Sequence, residues 1–178
     1  MMSDRIPIRF DRTLRPEWLD FALEQSVRCS EKGSERRVLG EYLGPQIKGK
    51  EALKKTITQL QRVVGPISPL TRERLCADHE RMGQLAPDAR TPIRLALLMQ
   101  SSPFFDDCVA AIRRMSLLSA GGFTAGQLNE RLVAKYGDRA IVPRSTQHVL
   151  QTLGLLGVVV NKDRRWNTTR LIENGGSG

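Results

Sequence analysis

Apolar residues recur along this chain mostly at three- and four-residue spacing, and that period predicts a mainly α-helical protein. The cleanest stripe is Leu53, Ile57, Leu60 and Val64, spaced 4, 3 and 4, over a helix from Lys50 to Val64. Gly65-Pro66 ends it. A helix from Ser34 to Leu43 carries Val38, Leu39, Tyr42 and Leu43. Pro16 opens an earlier helix, with Trp18, Phe21, Ala22 and Gln25 on or beside its buried stripe. Ser68-Pro69 predicts the start of a fourth helix, carrying Leu75 and Met82 under a mixed-sign charged surface that includes His79. Thr91-Pro92 predicts a fifth, Ile93 to Met99. Its Leu95, Ala96, Leu97, Leu98 and Met99 are apolar almost all round, which predicts a central, buried position.

The last third has the strongest local signals. Ser102-Pro103 can cap and start a helix whose Phe104, Phe105, Cys108, Val109, Ile112 and Met115 share one face, with Gly121-Gly122 as its stop. Thr124 with Gln127 fits a capping box, and Phe123 with Leu128 fits a hydrophobic staple. Leu128, Leu132 and Tyr136 form the stripe of that helix, and Gly137 is its exit. A third helix follows Ile141-Val142-Pro143-Arg144, with Ser145 as the predicted cap and Val149, Leu150, Leu153 and Leu156 inward. Arg144, Gln147, His148 and Gln151 fall on the opposite face, and Thr146 lies near the buried edge. Gly157 breaks the period. Val158-Val159-Val160 reads as a strand, Asn161 to Arg164 as a turn, and Arg165 to Thr169 as a returning strand. Three helices followed by a short hairpin predict a winged helix-turn-helix whose wing is that hairpin.

The expected architecture is therefore a helical bundle followed by a winged helix. Residues 1–90 hold an N-terminal arm and the bundle, 91–172 the winged-helix unit, and 173–178 a Gly/Ser-rich flexible tail. Sharing of the buried fifth helix would join the two units into one. The opening Ile6-Pro7-Ile8-Arg9-Phe10 alternates apolar and polar residues, which predicts an extended segment or a short edge strand. Arg5, Arg9, Arg12 and Arg15 make it a basic arm, suited either to a phosphate backbone or to an acidic partner surface.

Composition narrows the class. Hydrophobic content of 40% and charged content of 26% are those of a soluble globular chain. No apolar run approaches the ~20 residues of a membrane span, and Met1 to Asp11 lacks a signal-peptide core, so a cytoplasmic location is expected by default. Cys29, Cys76 and Cys108 are isolated, without disulfide or zinc spacing, and read as small buried hydrophobes in helices. The net charge of +9 is uneven. Residues 1–88 carry a net +3 and residues 89–178 a net +6. Within 139–170, Arg139, Arg144, Lys162, Arg164, Arg165 and Arg170 face only Asp163. A surplus there coincides with the third helix of the module and its wing, which points to a polyanion partner.

No catalytic pattern competes with that reading. His148 has no companion for a metal set or triad, and Asp106-Asp107 is explained by the preference of a helix start for acidic residues. No phosphate-binding glycine loop occurs, and no cofactor or small-molecule substrate is indicated. The expected ligand is duplex DNA, since an aromatic content of 5% is low for a single-strand stacking platform. The candidate contacts are Arg144, Ser145, Gln147, His148 and Gln151 on the helix, Lys162, Arg164 and Arg165 on the wing, and Arg5, Arg9 and Arg12 on the arm. A protein–protein adaptor and a winged-helix transcriptional regulator remain as alternatives.

The layout also resembles a known family. The Ile8-Arg9-Phe10 arm, the all-helical middle, Phe123-Thr124, Tyr136-Gly137, and Ser145-Thr146 with Leu150 and Leu153-Gly154-Leu155-Leu156-Gly157 resemble the small A-component, BrxA, of BREX phage-defence systems. The resemblance covers about 165 residues as an order of elements. It implies a non-enzymatic DNA-binding protein working beside larger defence proteins.

Overall fold

Among the described residues, α-helices that start at a capping side chain do so at Ser102, Thr124 and Thr71, and the displaced starts are informative. In the computed structural model, which describes residues 5–29, 31 and 33–173, α1 covers Pro16–Arg28, α2 Ser34–Leu43, α3 Lys50–Val64 and α4 Arg72–Gly83. A 3-10 turn, Pro87–Arg90, leads into α5, Thr91–Ser101; then come α6, Pro103–Leu118, α7, Ala125–Tyr136, and α8, Ile141–Leu155. Strands β1, Val159–Lys162, and β2, Arg165–Thr168, form an antiparallel pair, followed by a 3-10 turn at Arg170–Ile172. The chain is thus mainly helical with a small sheet near its C-terminus. No single helix among the described residues is long and apolar enough to cross a membrane. Of the tail expected at 173–178, Glu173 is an exposed turn residue, and Asn174 to Gly178 lie outside the described residues.

The capping box at Thr124 and Gln127 forms in both directions, and the Ser102 side chain accepts from the Phe105 N–H. Two predicted starts are displaced. Helix α4 begins at Arg72, not at Ser68-Pro69, because Thr71 is the residue that caps it, accepting from the Arg74 N–H at 3.2 Å. Ser68 instead donates to the Val63 carbonyl and accepts from the Leu70 N–H. Helix α8 begins at Ile141, one turn before Ser145. Pro143 is tolerated there because first-turn N–H groups have no partner within the helix anyway. The buried stripe of α1 also includes Leu19 and Leu23, which the spacing argument passed over.

The core is continuous. It runs from Ile8, Phe10 and Leu14 through α5 to Leu153 and Ile172, so the boundary expected near residue 90 does not separate two cores. Helix α5 packs on both α3 and α6. It also buries a charge. Arg94, 6% exposed, donates to both Asp20 oxygens at 2.8 and 2.6 Å and to the Pro87 carbonyl at 3.0 Å. Of the three cysteines only Cys108 is buried; its thiol is pushed up by desolvation and then by the Asp107 carboxylate. Cys29 sits half-buried just past the end of α1, not within a helix, and Cys76 is half-buried on α4.

The expected four-residue hairpin turn is shorter. Lys162 pairs with Arg165, leaving Asp163 and Arg164 as a two-residue turn with φ of 53° and 64°. Left-handed backbone costs roughly 1–2 kcal/mol for an L-residue, and glycine is favoured at the second position of such a turn. Arg164→Gly is therefore expected to stabilise the fold by about 1 kcal/mol, less some unfolded-state entropy, in urea denaturation. A loss of stability would show that the Arg164 side chain holds the turn.

Candidate nucleic-acid interface

Helix α8 separates its residues sharply by face. Val142, Ser145, Thr146, Val149, Leu150, Thr152 and Leu153 are buried, whereas Arg144, Gln147, Gln151 and Leu155 are exposed. Arg144, Gln147, Gln151 and Leu155 recur at three- and four-residue spacing, so they form one outward stripe. The structure corrects one candidate here. Ser145 is 1% exposed, is not a cap, and lies on the core side of α8, away from any external ligand.

Next to this stripe stands the hairpin, held at three points. The Val158 N–H donates to the Leu153 carbonyl at 2.9 Å, tying the strand to the end of α8. Thr169 Oγ1 donates to the Gly157 carbonyl at 2.7 Å. Phe123, just before α7, exchanges both backbone hydrogen bonds with Trp166 at 2.9 and 2.7 Å, adding a one-residue bridge to β2. Gly122 is required beside it. Its φ is +80°, and a Cβ there would lie 2.5 Å from the Trp166 carbonyl oxygen. Arg165 crosses the same junction, donating through Nε to the Gly121 carbonyl at 2.9 Å and through Nη2 to the Gly122 carbonyl at 3.1 Å. Its guanidinium is thus committed to positioning the hairpin. Lys162 and Arg164 are exposed and have no carboxylate within 4.0 Å among the described residues, and the same holds for Arg144.

The basic arm is not free. No strand forms in residues 5–15; the segment is an extended strap anchored by Ile8, Phe10 and Leu14, all buried. It crosses both halves of the protein. The Asp11 N–H donates to Gln59 Oε1 on α3 at 3.1 Å, and the Leu14 N–H donates to Thr152 Oγ1 on α8 at 3.1 Å. Arg139 Nη1 donates to the Ile6 carbonyl at 2.8 Å. Thr13 Oγ1 donates to Gln151 Oε1 at 2.6 Å and meets His148 Nδ1 at 2.9 Å. Partial burial, then the Arg12 guanidinium, hold His148 below the usual imidazole range, against an opposing pull from Asp11. His148 is half-buried beside the strap. Arg12 is half-buried, whereas Arg5 and Arg9 are exposed. None of the family models, curated proteins or solved structures compared with the chain matches it. What the face can bind is therefore decided by its own chemistry.

That chemistry is cationic and hydrogen-bonding, with an apolar shelf. Leu155 (46% exposed) and Val160 (54% exposed) flank Gln151 and border a shallow depression with Gly154 and Trp166. The period that places Gln151 outward also places Leu155 outward, a signal present in the sequence. Thr13 carried no such signal, since its partners lie 135 and 138 residues away. Asp107 accepts from the Tyr136 hydroxyl and pairs with Lys135 Nζ at 2.7 Å, fixing α6 to α7. No group of three or more His, Cys, Asp or Glu residues suited to a metal occurs among the described residues.

Proposed function

We propose that α6, α7, α8 and the β1–β2 hairpin form a winged helix-turn-helix that binds duplex DNA without catalysis, as an accessory subunit beside larger proteins of a BREX-type anti-phage system. The observation that carries the DNA reading is the pairing of two surfaces on one rigid frame. Helix α8 offers Arg144, Gln147 and Gln151, and the hairpin offers Lys162 and Arg164, without a neutralising carboxylate. In this reading α8 enters a major groove, where glutamine amides suit adenine edges and Arg144 suits a guanine or a phosphate. Lys162 and Arg164 hold the phosphate backbone. The link to defence proteins rests on the family resemblance in the sequence.

Titration of duplex DNA at several salt concentrations tests this. Lys162→Ala with Arg164→Ala is expected to weaken binding to all sequences alike and to flatten the log–log salt slope by roughly 0.9 per lost contact. An unchanged slope removes the hairpin from the footprint. Gln147→Ala is expected to reduce sequence preference more than affinity, measured by selection from a random duplex pool. Gln147 is the cleaner probe, because Gln151→Ala also breaks the bond from Thr13. Identical enrichment by wild type and variant would show that Gln147 reads no base. The exposed Leu155 and Val160 favour a second reading, an adaptor whose hairpin face binds a protein subunit. Salt-independent failure to bind any duplex would leave that reading in place.

A further inference from the structure

A cleft of about 490 Å³ opens where the strap passes between α3 and the α5–α6 junction. This volume falls in the ~300–1,000 Å³ range of small-molecule sites. Its charged lining is cationic, and Ser68, Ser101 and Ser102 add hydroxyl groups. Arg9 enters from the strap and Arg62 from the last turn of α3, and neither has a carboxylate within 4.0 Å among the described residues. No acidic side chain lines the cleft. Gln59 also lines it while being only 1% exposed. Its Oε1 is taken by the Asp11 N–H, and its amide NH₂ makes no hydrogen bond among the described residues. Gln100 also lines the cleft but is exposed; Arg74 donates to its Oε1 at 2.6 Å, which leaves its amide NH₂ as the available group. The floor is apolar, built from buried Val63 and Phe104, with exposed Ile67 at the rim.

Two guanidinium groups without counter-ions suit a dianion, and guanidinium matches phosphate geometry through paired N–H donors. An apolar floor suits the flat face of a ring, and two amide NH₂ groups suit the acceptors on its edge. We propose that this cleft binds a nucleoside monophosphate, with the phosphate between Arg9 and Arg62 and the base over Val63 and Phe104. The site was hidden in the sequence because its walls come from four separated segments: residues 7–9, 59–63, 67–69 and 100–104.

Calorimetric titration of the full chain with AMP, UMP, adenosine and inorganic phosphate tests the proposal. At least one nucleotide is expected to bind with a Kd below about 1 mM, with adenosine and phosphate each about tenfold weaker or more. Arg9→Gln with Arg62→Gln is expected to weaken the nucleotide about tenfold, whereas Lys162→Ala with Arg164→Ala leaves it unchanged. If the double variant melts early, Arg9→Gln alone decides, because that side chain is exposed and its loss leaves the fold intact. The proposal is overturned if neither nucleotide binds, if phosphate alone binds as well, or if folded Arg9→Gln binds like wild type.

Discussion

Asp20→Ala is expected to destabilise the protein by about 3 kcal/mol, at the low end of the roughly 3–5 kcal/mol seen when one member of a buried ion pair is removed. Arg94 sits on the central helix with its side chain 8% exposed, and Asp20, 20% exposed, is its only carboxylate partner among the described residues. Removing Asp20 leaves a guanidinium in the core that retains one hydrogen bond, to the Pro87 carbonyl. Arg90, which reaches the same carboxylate at 3.2 Å, would add a second unpaired charge nearby. The partial exposure of Asp20 admits water and sets the low-end figure. Adding Arg94→Met to the variant should recover part of the loss, because an apolar side chain is at home where the charge is not. Urea denaturation measures both. A loss below about 1 kcal/mol would show that the pair is solvated as if on the surface.

The other large effect is expected at Phe10. This side chain is fully buried, with its ring 5.2 Å from that of Phe105 at 57°. Phe10→Ala should cost about 3–5 kcal/mol, from lost burial plus the cavity left behind. Its local signature separates it from a generic core change. Asp11 and Leu14 donate their N–H groups to Gln59 and Thr152, so loosening the strap exposes both amides. Hydrogen exchange at those two positions should accelerate more than at the α5 core amides. Uniform acceleration across the chain would mean that the strap has no separate stability.

Local physics was readable in the sequence, and distant partners were not. The bounds of α2 and α3 follow from apolar spacing, and the Thr124–Gln127 box follows from a four-residue pattern that the backbone satisfies itself. The start of α4 at the Thr71 cap, three residues after the expected Ser68, was not legible, because only the folded chain shows which backbone N–H groups are left open. Helix α8 was read a turn too late because the residue before a proline resists helical backbone, a preference overridden by the burial of Val142. The outward stripe of Arg144, Gln147 and Gln151 was legible from its period. The half-covered state of His148 was not, because Thr13 reaches it from the far end of the sequence. Nor did an arginine within an apolar helix reveal that its counter-ion lies 74 residues earlier.

The strap also sets an order of assembly. Leu14 and Thr152 are 138 residues apart, so at a synthesis rate of about 5–20 residues per second the strap waits roughly 7–30 s before its partner helix exists. Throughout that interval Ile8, Phe10 and Leu14 lack part of the core that buries them, and they are targets for a chaperone or for another nascent chain. The helices of residues 16–101 lie between the two sides of this seam in the sequence and can form locally in the meantime, so the seam itself closes only after residue 152 is made.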